Sequence, residues 1–144
     1  VPLSNTFASA EDLTRAVLDG LRARDLPRLR DLALSEAEFR THVWPELPTS
    51  RPERNVPFDY AWGQLAQRSS DALTQTLARH GGRSLAVVRV SFTGETTQYA
   101  TFSVMRDTEV VATDDTGREW ILRLFGSVMV KDGRYKLFSY VVDD

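Results

Sequence analysis

The stretch FDYAWGQLAQRSSDALTQTLARHGGRSLAVVRVSFT, residues 58–93, contains the change of period that decides the fold. Over 58–80, Phe58, Trp62, Leu65, Ser69, Ala72, Leu73, Thr76 and Leu77 return at three- and four-residue intervals. That spacing puts them on one stripe of an α-helix. Gly81 and Gly82 end the pattern, as glycine does at helix C-termini. From 83 onward the apolar residues recur at every second position, the period of a strand. The helical period does not return, so the expectation is an α+β chain with its helices first and an antiparallel sheet after them.

Upstream, Ser9 and Asp12 open a first helix in capping-box style, with Leu13, Ala16, Val17, Gly20 and Leu21 as its buried stripe. Asp25 caps a second helix with Pro27 in its first turn and Leu26, Leu29, Leu32 and Ala33 on its apolar side. Ser35 and Glu38 form a second capping box, and helix resumes through Phe39, His42 and Val43 until Pro45. Four of the six prolines fall within 45–57, and each biases its predecessor away from helix. The 44 residues before this segment are too few for a core of their own. It is therefore read as an ordered loop anchored by Trp44 and Val56, and 1–144 as a single domain. Residues 1–6 are read as a frayed arm.

Downstream, strands are expected over 83–93, 98–113, 118–130 and 134–142, with a bulge near Arg106–Asp107 and turns at Gly94–Glu95, 114–117 and 131–133. One alternating set holds Ala86, Val88, Val90, Phe92, Phe102, Val104, Trp120, Leu122, Leu124, Val128, Phe138, Tyr140 and Val142, and is expected to face the helices. The other mixes Leu85, Val87, Tyr99, Met105, Phe125, Met129 and Leu137 with hydroxyls and arginines. That is the composition of an interface, and it predicts a homodimer through the sheet. Gly126 in mid-strand predicts strong curvature.

In its order of elements and the length of its strands, the whole chain resembles the nuclear-transport-factor-two-like superfamily, the cystatin-like cone that includes SnoaL-like cyclases and ketosteroid isomerases. The resemblance implies helices packed on a curved four-stranded antiparallel sheet, a deep apolar pocket between them and, often, a dimer through the sheet. The proline-rich 45–57 departs from it, standing where the family has a small hairpin. The acids and tyrosine of the isomerase pattern find no matching positions, because the expected inward strand residues include no Asp or Glu. Fold alone implies no reaction.

Composition narrows the function classes. The chain has 18 Lys+Arg against 20 Asp+Glu, a net charge of −2, and neither half is basic, which argues against a phosphate-tracking nucleic-acid surface. No apolar run approaches the roughly 20 residues of a membrane span. Two histidines and no cysteine leave no closed His/Cys zinc site, although a carboxylate-rich site stays open. No cofactor is expected. The chain opens on Val1 rather than Met, as after removal of a leader or a trim. Together with the lack of cysteine, this favours an exported or periplasmic location.

The pocket candidates are Trp44, Tyr60, Trp62, Phe102, Leu122 and Tyr140, with His42 as a candidate general base at the pocket edge. Each has a plainer reading: His42 and Trp62 as packed residues, Tyr60 as cover for the proline loop. His80 and Asp59 are read as complements to the two ends of the long helix. Arg123 is read as an ion-pair partner, and Asp114-Asp115-Thr116-Gly117 as a turn rather than a calcium loop. The functional expectation is a non-catalytic binding or interaction module for a small apolar ligand. The alternatives are a small isomerase, dehydratase or cyclase using His42 or Tyr140, and a structural accessory domain of an envelope or secretion system.

Overall fold

Each of the first three helices begins on a side chain that takes up a free backbone N–H. In the computed structural model, which describes residues 1–141, Ser9 Oγ accepts the Asp12 N–H at 3.0 Å and starts α1 (Ala10–Ala23). The Asp25 carboxylate accepts the Arg28 N–H at 3.1 Å and starts α2 (Leu26–Leu32). Ser35 Oγ accepts the Glu38 N–H at 3.1 Å while Glu38 Oε1 accepts the Ser35 N–H at 2.9 Å, the reciprocal pair of a capping box at α3 (Glu36–Glu38). A π turn, Phe39–Val43, and short 3₁₀ turns at Trp44–Glu46, Pro48–Ser50 and Pro52–Arg54 carry the chain across the proline segment. It then enters α4 (Phe58–His80).

The strands are β1 (Ala86–Phe92), β2 (Thr96–Gln98), β3 (Ser103–Met105), β4 (Thr108–Thr113), β5 (Glu119–Leu122), β6 (Phe125–Lys131) and β7 (Arg134–Tyr140). They form two antiparallel sheets, ordered β1-β4-β5 and β2-β3-β6-β7. The chain is α+β as expected, but two of the four long strands are broken. The stretch 98–113 divides at Asp107, whose φ of 55° is left-handed, and 118–130 divides at Arg123–Leu124. Since β3 pairs β6 and β4 pairs β5, this is one antiparallel ribbon that bends and passes from one sheet into the other. The Thr108 hydroxyl donates to the Gly126 carbonyl at 3.1 Å across the bend. An unforeseen hairpin, β2–β3, occupies the start of the second long stretch.

Bulges correct the expected faces. In β1 the register skips Val88, so Val87 and Val90 both pack on the core while Val88 is 48% exposed. The β6–β7 pairing skips Gly126 on one strand and Phe138 on the other, which restarts the alternation in both. Val142, assigned to the inward set, lies outside the described residues.

Two apolar clusters result. The larger joins Leu13, Val17, Leu21, Leu29, Leu32 and Leu73 to Val110, Leu122, Phe125, Val128, Leu137 and Tyr140. The second joins Leu34, Phe39, Val43, Phe102, Val104 and Met129, with Trp44, Phe58, Trp62 and Leu65 packed against it. Paired strand residues alternate between the clusters: Val128 and Leu137 go to the first, Val104 and Met129 to the second. The β2-β3-β6-β7 sheet is therefore covered on both sides. Phe125, Met129 and Leu137, expected on an outward dimer face, are fully buried inside the protomer. Phe125 and Leu137 pack in the cluster built on α1, α2 and α4, and Met129 in the one that holds Phe39 and Val43.

The first seven residues are pinned, not frayed. Phe7 exchanges both backbone hydrogen bonds with Tyr135, at 2.9 and 2.8 Å. The Ser4 N–H donates to Glu38 Oε2 at 2.7 Å, and Lys136 Nζ donates to the Ser4 carbonyl at 2.7 Å. Lys136 and Glu38 also form an ion pair at 3.4 Å, with both side chains buried. Burial raises the Glu38 pKa, but the Ser4 and Ser35 N–H groups and the Lys136 charge outweigh it and hold it below the usual glutamate value.

Breaking this pair from one side leaves an uncompensated buried charge. Lys136→Met should cost about 3–5 kcal/mol in urea unfolding at pH 7, and Glu38→Leu combined with Lys136→Met should recover much of it. Because the folded Glu38 pKa is depressed, its contribution is present above the unfolded value and is lost as pH falls through the folded one. Wild-type stability should therefore decline below about pH 4.5 more steeply than that of the double variant.

Candidate functional site

The N-terminal half of α4 keeps its stripe only half-buried, while the C-terminal half buries Ala72, Leu73 and Thr76 completely. The difference opens a cleft of about 310 Å³ where α4 crosses β7 and the α2–α3 link. Trp62, Leu65, Ala66, Ser69 and Leu73 form one wall, Ala33, Leu34 and Ser35 the second, and Phe138 and Tyr140 the third. Arg30 stands at the rim. A second, larger depression of about 600 Å³ along α4 shares Leu65, Ser69 and Tyr140, and adds Arg68, Asp71, Ser127 and Ser139.

Two polar contacts fix the wall. The Tyr140 hydroxyl donates to the Leu29 carbonyl at 2.5 Å, tying the end of β7 to α2. The Tyr140 N–H donates to Ser69 Oγ at 3.1 Å, tying it to α4. Burial holds the phenol well above its ordinary range. Its proton is engaged with a carbonyl and the ring is a wall of the cleft, so Tyr140 serves the site by shape.

The structure brings together only part of the expected set. Trp62 and Tyr140 line one cleft. Phe102 is buried in the second cluster, stacked on Tyr99 with centroids 4.7 Å apart, and Leu122 is buried in the first. Neither lines the cleft. Trp44 packs edge-on against Phe58 at 5.6 Å and beside Phe39 at 6.2 Å, closing the second cluster under the proline segment. Tyr60 is 63% exposed. His42 lies elsewhere: Lys131 Nζ approaches its Nδ1 at 3.1 Å, and its Nε2 contacts the Val1 carbonyl. It borders a separate hollow of about 270 Å³ with Pro2, Leu3, Thr6 and Arg134. His42 sits in the π turn, in which the Trp44 N–H reaches the Phe39 carbonyl, five residues back. Phe39 and Val43 are buried on one side of this turn, and His42 is directed to Val1 and Lys131.

Other charged groups have structural partners. The Asp114 carboxylate accepts from the Thr116 hydroxyl at 2.6 Å, Trp120 Nε1 at 2.9 Å, and the Thr116 and Arg118 N–H groups. These bonds hold its pKa far below the usual carboxylate range. The 114–117 segment is thus a self-bonded turn, and the Arg83 and Arg118 guanidinium groups lie over the Trp120 ring at 4.2 and 4.1 Å. Glu46 binds the Thr101 hydroxyl and N–H. Among the described residues no group of three or more His, Cys, Asp or Glu is placed to hold a metal ion, and no helix is long and apolar enough to cross a membrane. No family model, curated protein or solved structure matches the chain.

Tyr140→Phe should cost about 1–2 kcal/mol by leaving the Leu29 carbonyl without its donor. A raised folded pKa means that the tyrosine's contribution is present below the unfolded value near 10 and is lost as pH climbs above it. Stability measured between pH 9 and 11 should therefore fall more steeply for the wild type than for Tyr140→Phe.

Proposed function

We propose that the chain is a non-catalytic binding domain, and that the cleft between α4, β7 and the α2–α3 link receives a small, predominantly apolar ligand. The observation that carries this reading is the lining: Leu34, Trp62, Leu65, Ala66, Leu73 and Phe138 surround about 310 Å³ that the side chains leave unfilled. A concave apolar site with a few polar groups is the usual form of a small-molecule pocket. The walls come from helix, strand and a capped link, so the site is preformed and loses little entropy on binding.

The chemistry of the lining favours binding over turnover. Its titratable side chains are Arg30 and Tyr140, and the Tyr140 proton is already engaged. A general acid or base needs a proton within reach of the substrate. His42, the candidate base of the isomerase, dehydratase or cyclase reading, borders a different hollow.

Ligand screening by thermal unfolding tests the proposal. A compound held at 100 times its Kd should stabilise the wild type by about 2.7 kcal/mol, a rise of several degrees in Tm for a domain of this size. Ala66→Trp, which fills the cleft from α4, should abolish the shift while keeping the far-ultraviolet circular dichroism of the wild type. Retention of the full shift by that variant would place the binding site elsewhere.

A further inference from the structure

The polar groups of the cleft are one-sided. Arg30 is exposed at the rim, and its guanidinium makes no hydrogen bond or ion pair among the described residues. Ser69 Oγ is already an acceptor for the Tyr140 N–H, and Ser35 Oγ for the Glu38 N–H. The Ser35 hydroxyl also meets the Glu38 carboxylate, whereas Ser69 keeps an O–H proton that has no acceptor among the described residues. No Asp, Glu or His lines the cleft. The side chains offer positive charge and donors, and no anionic acceptor.

We infer that the ligand is an apolar carboxylate, its hydrocarbon part against Leu34, Trp62, Leu65 and Phe138 and its carboxylate at Arg30. The inference rests on the reading of the cleft as a ligand site and adds the charge of the occupant. A guanidinium is the side chain best matched to a carboxylate, through two parallel N–H···O bonds. A cationic ligand would meet Arg30 with like charge and find no counter-ion in the lining. A neutral hydrocarbon would leave the Ser69 hydroxyl proton and the guanidinium to water. The Arg30 side chain makes no hydrogen bond or ion pair among the described residues, and the contact that closes α2 uses its backbone carbonyl, so replacing the side chain tests recognition apart from folding.

Octanoate and octan-1-ol, which share a chain length and differ in head group, separate the two claims. Isothermal titration at pH 7 and low salt should show octanoate binding about tenfold more tightly than octanol, the range of a charge-assisted contact that stays partly solvated. Arg30→Ala should remove that advantage and leave octanol binding unchanged. If octanol binds as tightly as octanoate, or if Arg30→Ala shifts octanoate binding by less than twofold, the carboxylate inference is wrong and the apolar cleft stands. If neither compound binds the wild type and neither changes its Tm, both the inference and the cleft reading fall.

Discussion

The buried ion pair between Glu38 and Lys136 holds three distant parts of the chain in one place. Glu38 belongs to the third helix, Lys136 to the last strand, and the peptide groups of Ser4 complete the hydrogen bonding of both. Two charges removed from water are tolerated only where their geometry and remaining hydrogen bonds are nearly complete. Here Glu38 also receives the Ser35 N–H, so its carboxylate oxygens are used by the capping box, the arm and the lysine together. Such a pair adds little net stability over an apolar substitute of the same shape. What it supplies is a tie between α3 and β7, next to the Leu34 and Ser35 wall of the cleft.

The sheet shows how a small domain covers both faces of its strands. The bends at Asp107 and Arg123–Leu124, with the bulges at Val88, Gly126 and Phe138, divide the inward residues between two clusters. The helix α4 runs past both. Its C-terminal half is sealed against the first cluster, and its N-terminal half leans on the second through Phe58, Trp62 and Leu65. The cleft lies between those two packing partners, where neither cluster has side chains long enough to fill the gap.

Much of this was legible before any coordinates. The bounds of α4 follow from its stripe and the glycine pair, and the caps at Ser9, Asp25 and Ser35 follow from local chemistry that operates over three or four residues. The strand faces were less legible because period two has no tolerance: one skipped residue sends every later side chain to the opposite side. Gly126 was the one bulge with a signal in its residue type. Val88 and Phe138 look like ordinary core positions. Lys136 carried an unread clue, since it shares the parity of Phe138 and Tyr140 and so stands as a charge within an inward set. For the cleft, Trp62 and Tyr140 could be read from their own elements. Arg30 and Ser35 could not, because the seating of the α2–α3 link beside α4 is a tertiary fact. Nothing in FRTHV announces the widened turn that carries His42.

The outer edge of β7 is never offered to solvent as a bare row of peptide groups. Phe7 bridges Tyr135 in antiparallel sense, and Ala33 bridges Leu137 in parallel sense, where the Leu34 N–H donates to the Leu137 carbonyl at 3.0 Å. An uncovered strand edge is a template on which other chains assemble. The arm that looks dispensable in the sequence thus acts as a selvedge, finishing the border of the sheet so that it does not unravel into its neighbours. Shortening the chain by a handful of residues at its start would open that border as well as strip the buried pair of its Ser4 partners, and so change how the molecule behaves in a crowd of its own copies.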